Sequence, residues 1–294
     1  MLIFAFVCEK NKFMKEISLD SWKQVGEGGN GKTYLNDAEP GVLLKVNYTS
    51  EYSNETLENE FYISKKVYDM GISTPKMIEL VKVGNDMGAK VQAIQNKKSL
   101  SRLCADHPEE IEKWASYLAE RGKELHATDA LAGGLPSLKE RVLKAISTTK
   151  LVGHQSREKL LAFAESLDDA PTFVHGDFQF GNIIIADGKH YWIDLGRASH
   201  GVPQFDLGHL YLICNVYSKQ KRMYEITHMT EEQLRLFWKA FALAYNGPEG
   251  LEAFNSECRL FGVLDLILLG YYKNFNLLTR IFLSIITRKL LRQQ

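Results

Sequence analysis

Apolar and polar positions alternate in short runs over the first third of the chain, then change to the three-to-four spacing of helices. Between Trp22 and Val46, the runs Lys32-Thr-Tyr-Leu35 and Val42-Leu-Leu-Lys-Val46 flank Glu39-Pro40-Gly41, which predicts two strands around a turn. Leu57, Phe61, Ile63, Val67 and Tyr68 predict a helix over 54–70; Gly71 stops it and Pro75 prevents a quick restart. Met77 to Val83 and Lys90 to Ile94 predict a second strand pair around Gly84-Asn-Asp-Met-Gly88. Long helical patterns follow at 107–127, 136–148 and 155–167, then a compact strand-and-turn block at 173–194. Helical signals return from about Asp206 to the end, and Thr230-Glu-Glu-Gln233 reads as a capping box. The order predicts an α+β chain, a small β-rich lobe followed by a larger helical one, with the joint near residues 94–98. The expected boundaries are an N-terminal extension over 1–13, an N-lobe over 14–95 and a C-lobe over 96–294.

Two apolar runs need placing. Met1 to Cys8 has no basic start and no small-residue cleavage site, so it reads as a short strand, an ordered tail or an upstream extension rather than a signal peptide. Leu260 to Ile286 carries Asp265, Lys273 and Arg280, charges that a lipid-spanning helix avoids, and reads as a buried helix pair. Lys and Arg together number 36, as do Asp and Glu, so no general attraction to nucleic acid or an anionic membrane is expected. The four cysteines, Cys8, Cys104, Cys214 and Cys258, have no zinc-ligand or C-x-x-C spacing, which suits reduced thiols in a cytoplasmic protein. Such a chain is expected to be a monomer or a homodimer.

Gly26-Glu-Gly28-Gly-Asn-Gly31-Lys-Thr33 matches two phosphate-binding patterns, G-x-x-x-x-G-K-T and G-x-G-x-x-G. Glycine suits both because backbone N–H groups then approach phosphate oxygens with no Cβ in the way. The first pattern must open a helix, yet Pro40-Gly41 lies only seven residues beyond Thr33 and would break one. The strand-turn-strand reading therefore prevails, with a ligand-free hairpin turn as the plainer alternative. Lys45 sits in an apolar strand, where an unpaired ammonium is costly. A lysine so placed can hold nucleotide phosphates when a glutamate on the next helix orients it. Glu60, beside Phe61 on the apolar side, is a better partner than Glu55 or Glu58.

The strongest signal is His175-Gly-Asp177-Phe-Gln-Phe-Gly-Asn182 followed by Trp192-Ile-Asp194-Leu-Gly-Arg197. Phosphoryl transfer needs a carboxylate to take or orient the acceptor's proton, and Asp177 fits. It also needs hard oxygen ligands for Mg²⁺, and Asn182 and Asp194 fit. Ile183 to Ile193, turned at Asp187-Gly188, forms a hairpin that carries the chain from one to the other.

These motifs, with Phe205-Asp206-Leu-Gly208 and Gly71-Ile-Ser-Thr-Pro75, resemble the signatures of the aminoglycoside phosphotransferases and choline kinase-like small-molecule kinases over roughly residues 20–245. The resemblance implies a bilobal protein-kinase-like fold, ATP or GTP with Mg²⁺, and transfer of the γ-phosphate to a hydroxyl of an aminoglycoside-like, choline-like or sugar-like acceptor. It implies Asp177 as catalytic base, Asn182 and Asp194 as metal ligands, and Lys45 with Glu60 at the phosphates. Gly26, Gly28 and Gly31 then line the nucleotide, and Ala93 to Gln95 meets adenine through its backbone. His126, His175 and Asp206 are expected to be structural, whereas Arg197 either steadies the metal loop or meets a phosphate. Phe237, Trp238, Phe241 and Tyr245 form either core or the wall of a substrate cleft. Asp206 follows only twelve residues after Asp194, which leaves no room for the long activation loop of a protein kinase. A silent nucleotide-binding module would lack one of the catalytic carboxylates, and none is missing. The C-terminal Thr287-Arg-Lys-Leu-Leu-Arg292 is basic and would not help to hold a polycation.

Overall fold

The computed structural model describes residues 14–27, 31–47, 51–272 and 277–292. The chain divides into two compact units. The first takes the described residues up to Lys97 together with Ile185–Gly196; the second takes Lys98–Ile184 and the described residues from Arg197 on. The apolar run at residues 1–8, Cys8 and Lys273 lie outside the described residues.

The first unit is built on a six-stranded sheet of order β1-β5-β6-β4-β3-β2. Its strands are β1 (Lys15–Glu16), β2 (Lys23–Glu27), β3 (Gly31–Leu35), β4 (Val42–Asn47), β5 (Met77–Val83) and β6 (Asp86–Gln92). All neighbours run antiparallel except β1 and β5. Side chains on β4 alternate between faces. Leu44 and Val46 join Trp22, Val81 and Val83 on one face, while Leu43 packs with Leu57, Phe61, Met87, Ala89 and Val91 on the other. Helix α1 (Glu51–Asp69) supplies Leu57 and Phe61 to that second cluster. Lys45 is two residues beyond Leu43 and so shares the face that α1 covers. On the opposite face of the sheet, Lys90 of β6 is buried over the Trp22 ring and ion-paired with Glu39 at 2.8 Å and Glu79 at 3.3 Å.

The second strand pair differs from expectation. The turn is only Gly84-Asn85, and β6 starts at Asp86 rather than Lys90. Gly88 is not a turn residue: a Cβ there would lie 3.0 Å from Leu44 and Val81 side chains, so the glycine serves packing within the sheet.

The second unit begins with β7 (Lys98–Ser99) and α2 (Leu100–Asp106). The helical pattern at 107–127 is interrupted at its start. His107 leaves the helical region (φ −133°, ψ 72°) and Pro108 opens a 3₁₀ turn, because proline disfavours helix in the residue before it. The helices that follow are α3 (Ile111–His126), α4 (Leu138–Thr148) and α5 (His154–Ser166). Strands β8 (Phe173–Val174), β9 (Ile183–Ala186), β10 (Lys189–Trp192) and β11 (Ser199–His200) make the compact block, and the division between the units falls inside β9. Then come α6 (Gln204–Tyr211), a π-helical turn at Leu212–Val216, α7 (Lys221–Thr227), α8 (Glu231–Asn246), α9 (Leu251–Tyr272) and α10 (Leu277–Leu291). The expected capping box is present at the start of α8, with both hydrogen bonds between Thr230 and Gln233 made. The core of this unit is apolar side chains of α4, α5, α6 and α9, among them Val142, Ile146, Leu160, Phe205, Phe261 and Leu264. Phe237, Trp238 and Phe241 are buried. No helix among the described residues is long and apolar enough to cross a membrane.

Helices α6 and α9 touch backbone to backbone. A Cβ on Gly208 would lie 2.5 Å from the Gly262 nitrogen and 2.7 Å from the Phe261 carbonyl carbon, so any side chain must push the helices apart. Gly208→Ala is expected to cost about 1–3 kcal/mol, read as a lower urea midpoint with unchanged slope.

Candidate active site

In the first unit, the face alternation of β4 brings Lys45 under α1. Its Nζ lies 2.7 Å from Glu60 Oε1 and 3.4 Å from Asp194 Oδ1. Glu60 is one helical turn from Leu57 and adjacent to Phe61, so the apolar contacts of α1 fix its place. Asp194, two residues beyond β10, has a left-handed backbone (φ 59°). Its position is secured on both sides. Before it, Trp192 N–H donates to the Ser73 carbonyl at 2.8 Å. After it, Asn59 Nδ2 donates to the Gly196 carbonyl at 2.7 Å. Burial opposes the charge on Lys45, but Glu60 and Asp194 outweigh it and hold the ammonium above the ordinary lysine range. Lys97 goes the other way: its own burial, then the charge of Lys45, pushes it below that range.

The glycine loop is strand-forming on both sides, and β3 contains Lys32 and Thr33; no helix opens there. Gly31 is required by close approach, since a Cβ would collide with the Val46 carbonyl. A Cβ on Gly26 would lie 2.7 Å from Thr33 Oγ1. Gly28 lies outside the described residues. In the linker after β6, the Ala93 N–H is donated to the Gly41 carbonyl at 2.8 Å. Gln95 lies two residues on in the same linker.

In the second unit, the loop from His175 to Asn182 is pinned by alternating side chains. Phe178 and Phe180 are fully buried, against His126 and Phe241 and against Phe237 respectively. Asp177 and Gln179 therefore point the other way. Asp206 on α6 draws the start of the loop down: its carboxylate accepts from the His175 N–H at 2.7 Å and the Gly176 N–H at 2.8 Å, and faces His126 Nε2 at 3.0 Å. The Asp177 N–H donates to His175 Nδ1 at 3.3 Å. Asn182 Nδ2 donates to the Asp177 carbonyl at 2.8 Å, which leaves Asn182 Oδ1 as a pure acceptor.

The sequence reading missed the partner of Asp177. His209 Nε2 lies 2.8 Å from Asp177 Oδ1, a close charge contact without hydrogen-bond alignment. Its Nδ1 lies 2.8 Å from Asp265 Oδ2 on α9, and Asp265 Oδ1 accepts from Arg197 Nη2 at 3.2 Å. Burial favours the neutral ring, but Asp265 and Asp177 outweigh it and push His209 up to about 10. Burial would raise the Asp177 carboxyl too. The contact with His209, with Arg197 and His175 behind it, instead holds it well below the usual carboxylate range. Asp265 is likewise held low, burial being outweighed by His209 and Arg197. Arg197 thus braces Asp265, and Arg141 of α4 in turn holds the Arg197 and Ala198 carbonyls at 3.3 and 3.1 Å. The one available signal was Asp265 itself, a carboxylate inside an apolar helix that must have a partner.

Among the described residues, no group of three or more His, Cys, Asp or Glu side chains is placed to hold a metal. Asn182 Oδ1 in the second unit and the half-exposed Asp194 carboxylate in the first are each hard oxygen donors of the kind Mg²⁺ prefers. Cys104, Cys214 and Cys258 are free and buried. From Asp194 to the start of α6 the chain has only a 3₁₀ turn, Leu195–Arg197, and the two residues of β11.

The family model described as "Phosphotransferase enzyme family" (APH) matches residues 21–237. No curated protein matches the sequence. Among solved structures, a thermostable mutant of aminoglycoside phosphotransferase APH(4)-Ia superposes with a TM-score of 0.58 at 15% identity, covering 98% of each chain. The GDP and kanamycin complex of APH(2")-IIia gives 0.56 at 18% identity over 95% of each chain. Amicoumacin kinase hAmiN, in complex with AMP-PNP, Ca²⁺ and Ami, gives 0.55 at 13% identity over 99% of this chain and 93% of its own. At these identities the likeness establishes the protein-kinase-like fold, a β-sheet N-terminal region followed by a helical one. With the family match covering most of the chain, the motifs from His175 to Gly208 have their explanation: this chain belongs to the phosphotransferase enzyme family and is a kinase.

Proposed function

We propose that this kinase moves the γ-phosphoryl group of ATP to a hydroxyl of a small, uncharged, sugar-like molecule, with Mg²⁺, in the cytoplasm. The observation that carries the nucleotide half is Lys45 held between Glu60 and Asp194 at 2.7 and 3.4 Å. A fixed ammonium beside an exposed carboxylate suits a triphosphate that arrives with a divalent ion. Asn182 and Asp194 would hold that ion, which supplies charge neutralisation at the β- and γ-phosphates. Lys45 orients the phosphates, and the Ala93 carbonyl and Gln95 backbone offer hydrogen bonds to the base. Asp177 accepts the acceptor's hydroxyl proton as the new P–O bond forms and the bond to the nucleoside diphosphate breaks. GTP would serve through the same phosphate contacts; one structural neighbour was solved with GDP and another with AMP-PNP.

The acceptor class follows from charge. Each carboxylate around the catalytic loop is already matched: Asp177 by His209, Asp265 by His209 and Arg197, Asp206 by His126 and two backbone N–H groups. Among the described residues of this loop only Asp177 Oδ2 is without a partner, so it offers no cluster of free carboxylates for the several ammonium groups of an aminoglycoside or the cationic head of choline. Neutral hydroxyl compounds of the sugar class remain favoured.

Two measurements test this. MgATP at about 100 times its Kd is expected to stabilise the protein by about 2.7 kcal/mol, read as a rise in Tm; no shift at high nucleotide would remove the nucleotide site. Nucleotide consumption across a panel of neutral sugars, choline and aminoglycosides should then be highest for a sugar, and preference for an aminoglycoside would overturn the charge argument.

A further inference from the structure

Two oxygens of one carboxylate are treated differently here. Asp177 Oδ1 has two neighbours, His209 Nε2 at 2.8 Å and Gln179 Nε2 at 3.2 Å. Asp177 Oδ2 makes no hydrogen bond or ion pair among the described residues, and the side chain is 30% exposed. His209 is itself fixed. Its Nδ1 is 2.8 Å from Asp265 Oδ2, and Arg197 holds the other oxygen of Asp265 at 3.2 Å. The Gly208–Gly262 contact explains how these groups meet. His209 follows Gly208 on α6, and Asp265 is three residues beyond Gly262 on α9, so the place where the helices touch sets the two side chains against each other.

We propose that His209, clamped by Asp265, is a positioning residue for phosphoryl transfer: it engages Asp177 Oδ1 so that Oδ2 faces the acceptor hydroxyl. The proposal rests on Asp177 being the base of the function proposed above. A carboxylate free to rotate about its terminal torsion presents either oxygen at a range of angles. A carboxylate with one oxygen captured presents the other in one direction, which is the orientation term in catalysis. The charge on His209 also makes Asp177 a weak base. That suits a loose transfer in which the acceptor proton leaves late and the carboxylate mainly aligns the attacking oxygen. The same pair also joins two helices, so a loss of activity alone would not separate positioning from folding.

The test uses the full chain in excess over MgATP, with water as acceptor, and measures the single-turnover rate constant, the affinity for MgATP by calorimetry, and Tm. The rate constant is expected to fall about 30-fold in H209A, and by less in H209Q, whose amide N–H still reaches Oδ1, with MgATP affinity within about twofold of wild type. D265N should fall like H209A, and adding it to H209A should cost nothing further, because both act through one contact. Rates within twofold of wild type in both His209 variants overturn the proposal and leave the kinase reading standing. A fall in rate matched by a fall in MgATP affinity overturns it as well, since the effect is then not on positioning. If H209A melts below the assay temperature, H209Q and D265N decide by the same criteria. A wild-type protein that turns over MgATP no faster than buffer, with water and with every acceptor of the panel above, removes the base role of Asp177 and the proposal together.

Discussion

Asp177→Asn should lower phosphoryl transfer by about a thousandfold, within the range lost when a general base is removed, while MgATP affinity stays near wild type. The amide is the same size, so the loop held by Phe178, Phe180 and Asp206 keeps its shape. What changes is chemical. An amide cannot take the hydroxyl proton, and its NH₂ group turned toward His209 would set donor against donor. Affinity is spared because the proposed phosphate contacts come from Lys45, not from Asp177. Residual turnover above about a tenth of wild type would remove Asp177 from the base role. The pH profile gives a second check. A carboxylate held below its ordinary range stays ionised as pH falls, so kcat/KM should show no acid limb from Asp177 between about pH 5 and 8.

Lys45→Met should lower kcat/KM for MgATP by about a hundredfold, the scale expected when a charge-stabilising donor is lost. Methionine fills the same apolar strand position, and Leu44 and Val46 continue to pack on the other face. The loss is electrostatic on two counts. The phosphates lose a positive charge, and Glu60 and Asp194, now without the cation between them, repel each other and the nucleotide. Lys45→Arg would not restore activity, because a planar guanidinium is longer and donates in a fixed fork. Steady-state kinetics at varied MgATP decide the matter. A kcat/KM within threefold of wild type would place the phosphates elsewhere.

Local patterns carried much of this structure. The Pro40-Gly41 turn and the apolar strand around Lys45 announced the β3–β4 hairpin, and the Leu57/Phe61 spacing announced α1. Together they placed Lys45 opposite Glu60, because strand and helix periodicity each fix one face. The missed features are of another kind. His209 and Asp265 are 56 positions apart, and nothing local to either indicates the other. Their meeting depends on how two helices cross, which in turn depends on two glycines that a helical pattern counts as weak positions. Gly88 was misread for a related reason: a glycine that serves packing looks, in sequence, like a glycine that serves a turn. Within Ala93 to Gln95, the segment expected to meet adenine through its backbone, the Ala93 N–H is donated to the Gly41 carbonyl, a pairing that no local pattern signals.

The first unit is completed by a segment, Ile185–Gly196, that is synthesised almost ninety residues after Lys97. A nascent chain halted at Lys97 would carry the six-stranded sheet and α1 but would lack Trp192, which is buried, and Asp194 beside Lys45. During synthesis the unit is therefore expected to lack its last contacts until residue 196 is available to pack against it. Contacts of such long sequence separation are expected to form later than the sheet itself, whose six strands all lie before Lys97. A gene fragment ending at Lys97 is expected to be less stable than the same unit in the full chain, read as a lower urea midpoint.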